Sequence, residues 1–241
     1  RASLRDRGAG GVDGASPASF SEVLNGKSRI TTWYYENGAK EYEGQVHSCG
    51  SWPDQLEKPH GNGIQYHENG QTAYEGQWEN GKRQGQGTQY YQQGFRMYDG
   101  QYQENKWHGS GTQYDRSGKP IYAGQFKENR AHGDGTVYTH KKDKFETRQI
   151  SFVGQFKEGR AHGIGTEYYK SRPAGHRAYQ GQFEDGKRQG HGIAYDEWDR
   201  EIHVGQYREN KAHGNGTSYY SFEDDFIRHG GKRDEGQFED G

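Results

Sequence analysis

A unit of 24 residues recurs along this chain, and its fixed positions are glycines and aromatic rings. The clearest copies run Tyr74-Glu-Gly-Gln-Trp78 … Gly85-Gln-Gly87, Tyr98-Asp-Gly-Gln-Tyr102 … Gly109-Ser-Gly111 and Tyr122-Ala-Gly-Gln-Phe126 … Gly133-Asp-Gly135. Self-similarity at such a period marks an array, in which each unit buries its apolar face against its neighbours. Composition leads the same way. With three Leu, one Met and 27% hydrophobic residues among 241, the chain cannot build an ordinary aliphatic core, and figures like these usually accompany disorder. An aromatic content of 14% and a net charge of only -2 oppose disorder. Rings packed from unit to unit are the remaining source of buried surface.

The balanced charge gives no argument for nucleic acid as a partner. The single cysteine, Cys49, excludes an internal disulfide framework. No apolar run is long enough for a membrane-spanning helix, and no signal-peptide core is present. The expected compartment is intracellular, in the cytoplasm or attached to cytoskeleton or membrane. Arg1, Ser3, Arg5 and Arg7 have the composition of a transit-peptide remnant, which makes an organelle the alternative.

The first glycine of the Gly-Gln pair recurs at Gly44, Gly76, Gly100, Gly124, Gly154, Gly181, Gly205 and Gly236. A later glycine follows 11 residues on at Gly87, Gly111, Gly135, Gly165, Gly192 and Gly216, whereas Gly44 to Gly63 carries an insertion within 47–59. A constant inner segment with elastic connectors implies hairpins joined by tolerant loops. In Tyr98-Asp-Gly-Gln-Tyr102 the polar residues alternate with rings and glycine, the period of a strand. Gly81, Asn105, Asn129, Gly159, Gly186 and Asn210 share one turn position, and both residue types accept positive φ. Closing the hairpin there places Gly100 opposite Gly111 and Tyr102 opposite Gly109, with rings over glycine backbone on one face. The closing tyrosines, Tyr90, Tyr114, Tyr138, Tyr168, Tyr195 and Tyr219, fall on the other face unless a bulge redirects them. Asn37-Gly38 and Asn69-Gly70 predict type I′ turns in the connectors.

Residues 1–29 read differently. Gly8 to Gly14 suggests a tether, and Ser16-Pro17 with Phe20, Val23 and Leu24 predicts a short capping helix over 17–25. The array then runs from 30 to 241, where it stops inside an eighth unit, so the natural protein is expected to continue.

These motifs resemble the MORN (membrane occupation and recognition nexus) repeat, whose pattern is close to Tyr-x-Gly-x-Phe/Trp-x-x-Gly-Lys-x-x-Gly-x-Gly-x-x-x-Tyr. The resemblance covers Ile30 to Gly241. It implies an all-β fold: an elongated, single-layer, twisted antiparallel sheet of about seven to eight successive hairpins. It also implies a module that binds proteins or lipids or self-associates, rather than a catalyst, within a larger assembly or beside an enzyme domain. The connectors here are longer than usual for the family. About sixteen strands at ~4.8 Å each would give a rod of roughly 70–80 Å.

Two rows of residues are candidate binding surfaces. Lys82, Lys106, Arg130, Arg160, Lys187 and Lys211 follow the turn in six units. They would line one edge at intervals of roughly 10 Å, a stripe suited to anionic lipid headgroups at about 1 kcal/mol each. The acidic residues before the turn, Glu104, Glu128, Glu158, Asp185 and Glu209, oppose that reading by cancelling charge. The aromatic row Trp78, Tyr102, Phe126, Phe156, Phe183 and Tyr207 is the other candidate. A single-layer sheet has no second layer to cover it, so part of it is expected to stay open for a partner protein. Trp107, at a turn where other units have Ala131, Ala161 and Ala212, is the sharpest single-residue candidate for a contact. His60, His108, His132, His162 and His213 share one repeat position, which Gln84 and Gln189 take in two units, and they lie too far apart to share a metal ion. Asn25-Gly26-Lys27-Ser28 ends like a phosphate-binding loop, but Ser21 stands where the upstream glycine is required. Asn215-Gly216-Thr217 is a formal glycosylation sequon inside the repeat motif. No nucleophile–His–acid grouping stands apart from the repeat, and no cofactor is implied. The expectation is a non-catalytic scaffold that docks a partner protein. A lipid tether and a regulatory array beside an enzyme domain are the alternatives, and open sheet edges invite self-association.

Overall fold

The computed structural model describes residues 28–49, 56–140, 148–170, 175–219 and 232–239. Among these every regular element is a strand. The strands are β1 (Ser28–Tyr34), β2 (Lys40–Cys49), β3 (Leu56–Tyr66), β4 (Thr72–Glu79), β5 (Lys82–Tyr90), β6 (Arg96–Gln103), β7 (Lys106–Tyr114) and β8 (Pro120–Lys127). They continue as β9 (Arg130–His140), β10 (Arg148–Lys157), β11 (Arg160–Tyr168), β12 (Arg177–Glu184), β13 (Lys187–Tyr195), β14 (Glu201–Arg208), β15 (Lys211–Tyr219) and β16 (Lys232–Phe238). They form one open antiparallel sheet whose strand order is the sequence order. Two compact units make up the chain, residues 1–109 with 114–119 and residues 110–113 with 120–241. The expected helix over 17–25 and the Gly8–Gly14 tether lie outside the described residues.

The hairpin turns follow from backbone chemistry. Asn129 and Asn210 have φ of 69° and 72°, and Gly81 has 81°, so the Gly/Asn position is left-handed as the residue types predict. The acidic residue before it is left-handed too, with φ of 50° at Glu128 and 53° at Glu209. Two consecutive left-handed residues define the type I′ turn that matches strand twist. The connectors depart from expectation. Asn37 and Asn69 are not left-handed; only Gly38 (80°) and Gly70 (81°) are. Gly38 N–H donates to the Tyr35 carbonyl at 3.0 Å, and Tyr35 N–H donates to Ala39 at 2.8 Å. This is the three-residue loop, a type I turn closed by a left-handed glycine. The Asn37 side chain decides it by accepting Ala39 N–H at 2.9 Å, a local bond that a right-handed Asn makes well.

Within each hairpin the two motif glycines pair, as Gly76 with Gly87 and Gly181 with Gly192. The second ring, however, does not face a glycine of its own hairpin. Trp78 pairs with Arg83 and Phe126 with Ala131, so Gln84, Gly85 and Gln86 together oppose Gln77 in a bulge. The bulge glycine faces the next repeat instead, Gly85 opposite Tyr102 and Gly163 opposite Phe183. Gly85 is left-handed at φ 69°. The bulge frees an amide, and the glutamine of the Gly-Gln pair satisfies it: Gln77 Oε1 accepts Gln86 N–H at 2.8 Å, and Gln182 Oε1 accepts His191 N–H at 2.9 Å. Polar groups left unpaired by a bulge are costly, which gives this glutamine a structural role.

The core is a ladder of rings on one face. Tyr74 lies across Gly76 and Gly87, where an added Cβ would collide with the ring, and its Oη donates to the Gln77 carbonyl at 2.9 Å. A first ring meets its own second ring and that of the next repeat edge to face, as Tyr74 does with Trp78 at 5.0 Å and with Tyr102 at 5.1 Å. In the second unit the ladder runs Phe156–Phe152–Phe183–Tyr179–Tyr207 at 4.9–5.2 Å. Such pairs contribute about 0.5–1.5 kcal/mol each beyond area burial. The closing Tyr66 lies on the opposite face, where its Oη donates to Glu43 at 3.1 Å, and a register shift falls at this tyrosine.

Gly192→Ala should destabilise the fold by about 3 kcal/mol, because the Cβ meets the buried Tyr179 ring. Gly159→Ala, with nothing within 4 Å of its Cβ and only its φ of 84° at issue, should cost about 1 kcal/mol. Chemical denaturation of both variants checks the contrast. Burial pushes the phenols of Tyr74, Tyr122 and Tyr207 up to about 12. The neutral ring is favoured in the fold, so this stability is full below pH ~10 and is lost between ~10 and ~12. A pH titration of tyrosinate absorbance together with circular dichroism should show ionisation and unfolding together.

Candidate interaction surface

The aromatic row is placed differently from expectation. Trp78, Tyr102, Phe126, Phe156, Phe183 and Tyr207 are all buried. Neighbouring repeats cover what a missing second layer would have left open. Trp78 also donates its Nε1–H to the Gly63 carbonyl at 3.1 Å. Trp107 is not at a loop tip. It is the second residue of β7, half-buried and stacked on Tyr98 at 4.5 Å with an interplanar angle of 6°. Its Nε1–H donates to Gln89 Oε1 at 3.2 Å. Two arginines do the same work in other repeats. Arg83 lies 4.6 Å over Tyr74 and donates to Gln65 at 3.0 Å, and Arg188 lies 4.7 Å over Tyr179 and donates to Glu167 at 2.8 Å. The signal was the repeat position itself, which is Arg or Trp at 83, 107 and 188 and Ala at 131, 161 and 212.

The basic edge is a row of ion pairs. Lys82 pairs with Glu104, Lys187 with Glu209 and Arg130 with Glu158 at 3.9 Å, each cation meeting the acid of the next turn. Lys106, Arg160 and Lys211 occupy the same position and are exposed. The turns are also tied by backbone, since Gly159 N–H donates to Ala131 and Gly186 N–H to Ala161, both at 2.8 Å. Asn105 and Asn210 accept the amides of Arg83 and Arg188 at 2.8 Å. Exposed pairs like these contribute little to stability, but they neutralise the stripe.

Among the described residues no group of three or more His, Cys, Asp or Glu side chains converges on one point. One histidine escaped the sequence reading. His203 takes the first-ring position held elsewhere by Tyr or Phe, and it meets Tyr207 and Phe238 edge to face at 5.3 and 4.9 Å. Its Nδ1 lies 2.9 Å from Ser218 Oγ, while Nε2 is buried without a hydrogen-bond partner. Burial holds its pKa below the usual imidazole value.

The face away from the rings divides the two units chemically. In the first unit the row beside the motif glycines carries Glu43, Ile64, Glu75, Thr88 and Asp99 across successive strands. In the second the same row reads Thr136, Val153, Thr166, Gln180, Ile193, Val204 and Thr217, and it ends at Glu235 of β16. One hairpin, β10–β11, turns three aliphatic side chains outward on this face. Val153 neighbours Phe152 in sequence and so points away from it, Ile164 likewise neighbours Gly165, and Ile150 pairs with the outward Tyr138. All three are exposed, Ile164 at 57%. Other repeats place Asn62, Gln86, Asp134, His191 or Asn215 where Ile164 stands. The exposed amides Gln155, Gln180 and Gln182 lie on β10 and β12 beside it, and Gln180 Oε1 accepts from Arg177 at 3.3 Å.

An open sheet of glycine-paired hairpins with a buried ring ladder is the architecture of a β-hairpin repeat module. Six segments, 74–96, 98–119, 122–138, 152–172, 179–196 and 203–221, match the MORN repeat. The chain belongs to the MORN-repeat proteins, whose repeats generally mediate protein–protein or membrane contacts. No curated protein matches the chain. The β2–β3 hairpin precedes the matched segments but keeps their geometry: Gly44 pairs with Gly63, and Tyr42 Oη donates to the Gln45 carbonyl at 2.7 Å. Among the described residues no helix is long and apolar enough to cross a membrane.

His203 provides a pH prediction. Its folded pKa is lowered, so its contribution is full above the ordinary value of 6.5 and is lost as pH falls below it. Amide-exchange protection in β14 and β15 should drop between pH 7 and 5 more than in β4 and β5. His203→Tyr should remove the difference.

Proposed function

We propose that this protein is a non-catalytic scaffold that docks a partner protein on the outer face of its second unit. The observation that carries this reading is the exposed trio Ile150, Val153 and Ile164 on that face. Isolated exposed aliphatics are ordinary, but three grouped on one hairpin with polar side chains beside them have the anatomy of an interface centre and rim. The amide rim offers hydrogen bonds to a polypeptide, and two guanidiniums near it are already engaged, Arg148 over the Tyr138 ring at 4.8 Å and Arg177 with Asp199 at 2.7 Å. The pairing of Lys82, Arg130 and Lys187 with acids favours a protein over an anionic membrane as the partner.

The test is recovery of the partner from native source with wild-type protein and with Ile164→Asp. The substitution lies at an exposed site and should change stability by less than about 0.5 kcal/mol. It should weaken the interaction at least about tenfold, as loss of a central apolar anchor does. Unchanged recovery counts against the patch. Sedimentation with phosphatidylserine vesicles that survives Ile164→Asp and is lost when Lys106, Arg160 and Lys211 are neutralised would install the lipid reading instead.

A further inference from the structure

The residues flanking the hairpin turns pair directly across the strands. Glu79 faces Lys82 and Glu184 faces Lys187, so charge is matched there. At two successive hairpins it is not. Lys127 faces Arg130 at the end of β8–β9, and Lys157 faces Arg160 at the end of β10–β11. Like charges directly opposite each other destabilise a sheet. All four side chains are exposed. Arg130 reaches Glu158 at 3.9 Å, while Lys127, Lys157 and Arg160 have no ion-pair partner among the described residues. The following turn sets Glu184 and Asp185 against Lys187, so the positive excess does not run on along the edge.

Hairpin β10–β11 also carries Ile150, Val153 and Ile164. Val153, Gln155 and Lys157 alternate with the buried Phe152 and Phe156 and so share the outer face. From the turn that face reads Lys157 with Arg160, then Gln155 with Ile164, then Val153. Ile164 N–H donates to Gln155 Oε1 at 3.1 Å, which places the two side by side. Four residues of strand, roughly 13 Å, separate Val153 from Lys157. At the far end Arg148 is engaged by Tyr138, and from β9 Asp134 faces Gln155. The unmatched cations therefore lie at the turn end of the patch. Arg208 faces Lys211 in the same way on β14–β15, but Asn215 stands there in place of Ile164.

We propose that the outer face of β10–β11 binds an extended acidic segment of a partner protein, with apolar side chains on Val153 and Ile164 and carboxylates at Lys157 and Arg160. Alternate residues of an extended segment face the sheet, so the matching pattern is apolar-x-apolar-x-acidic. The carboxylates supply the counter-charge that the hairpin omits, and the repulsion between Lys157 and Arg160 in the free protein is relieved in the complex. An anionic membrane fits less well, because a flat surface would also meet Glu184 and Asp185. The inference rests on the scaffold reading above and specifies the partner of the same surface.

The probe is acetyl-Ser-Leu-Ser-Leu-Ser-Glu-Ser-Glu-amide, titrated into the full chain while the Val153 and Ile164 methyl resonances are followed. Saturable shifts at both are expected, with binding at least about fivefold weaker when glutamine replaces both glutamates or when salt is raised well above the physiological range. Lys157→Glu restores the opposite pairing seen between Glu79 and Lys82. It should raise the melting temperature by about 1–3 °C and weaken the peptide at least about tenfold. In the double variant Lys157→Glu, Arg160→Glu the preference should reverse, so that a peptide with lysine at both glutamate positions binds more tightly than the original. Should the double variant fail to fold, Lys157→Gln still removes one cation and should weaken the glutamate peptide alone. Lack of saturable shifts overturns the proposal, and so does equal binding by folded Lys157→Glu. A peptide lost in Ile164→Asp but indifferent to Lys157→Glu leaves the apolar docking reading standing and overturns the acidic partner. Indifference to Ile164→Asp removes both. Sedimentation with phosphatidylserine vesicles that Lys157→Glu abolishes, without peptide shifts, would give the turn cations to a membrane and overturn the proposal as well.

Discussion

Everything in this fold depends on one contact, an aromatic ring lying flat across a pair of glycines from adjacent strands. The glycines make room because they have no side chains, and the ring restores the buried surface they cannot supply. It then presents its edges to a second ring on either side. A chain with three leucines can order itself this way because the buried area comes from a few large side chains, each used by two repeats. Charge and hydrogen bonding follow that contact rather than compete with it. The phenol finds a backbone carbonyl, the bulge beside it finds a glutamine, and the turn beyond finds the preceding turn.

Much of this was legible in the residues. The glycine pairing, the all-β class and the left-handed turn position follow from period and from which residues tolerate positive φ. The bulge was not, because alternation assumes one residue opposite one, and nothing in Gln84-Gly-Gln86 announces three against one. That error displaced Tyr102 from its true partner, Gly85 of the preceding repeat. The burial of the aromatic row was also hidden. Whether rings are covered depends on how closely successive hairpins approach, and a repeat pattern states the order of hairpins without their spacing. Trp107 looked anomalous only while its alignment with Arg83 and Arg188 went unused. Taken together, the three residues are solutions to one problem, covering a ring.

The two faces of the sheet carry different kinds of information. The ring face is nearly the same in every repeat, since a change there disturbs two neighbours at once. The other face is free to vary, and it does: acidic in the first unit, largely β-branched from β9 to β15 in the second, aliphatic at one hairpin. Recognition belongs where variation costs the fold least, which places Ile164 and its neighbours among the positions best able to distinguish this chain from another array of the same architecture.

The nearest-neighbour character of the ring contacts also determines how the array would behave under load. Each hairpin is fastened to the next by one edge-to-face contact, one turn-to-turn amide bond and a strand ladder, and to nothing more distant. Pulling on the ends of either unit would detach hairpins singly rather than rupture the whole at once. Each detached unit of 24 residues would release up to roughly 80 Å of chain. A protein built this way can lengthen in steps while the remaining hairpins keep their partners in place.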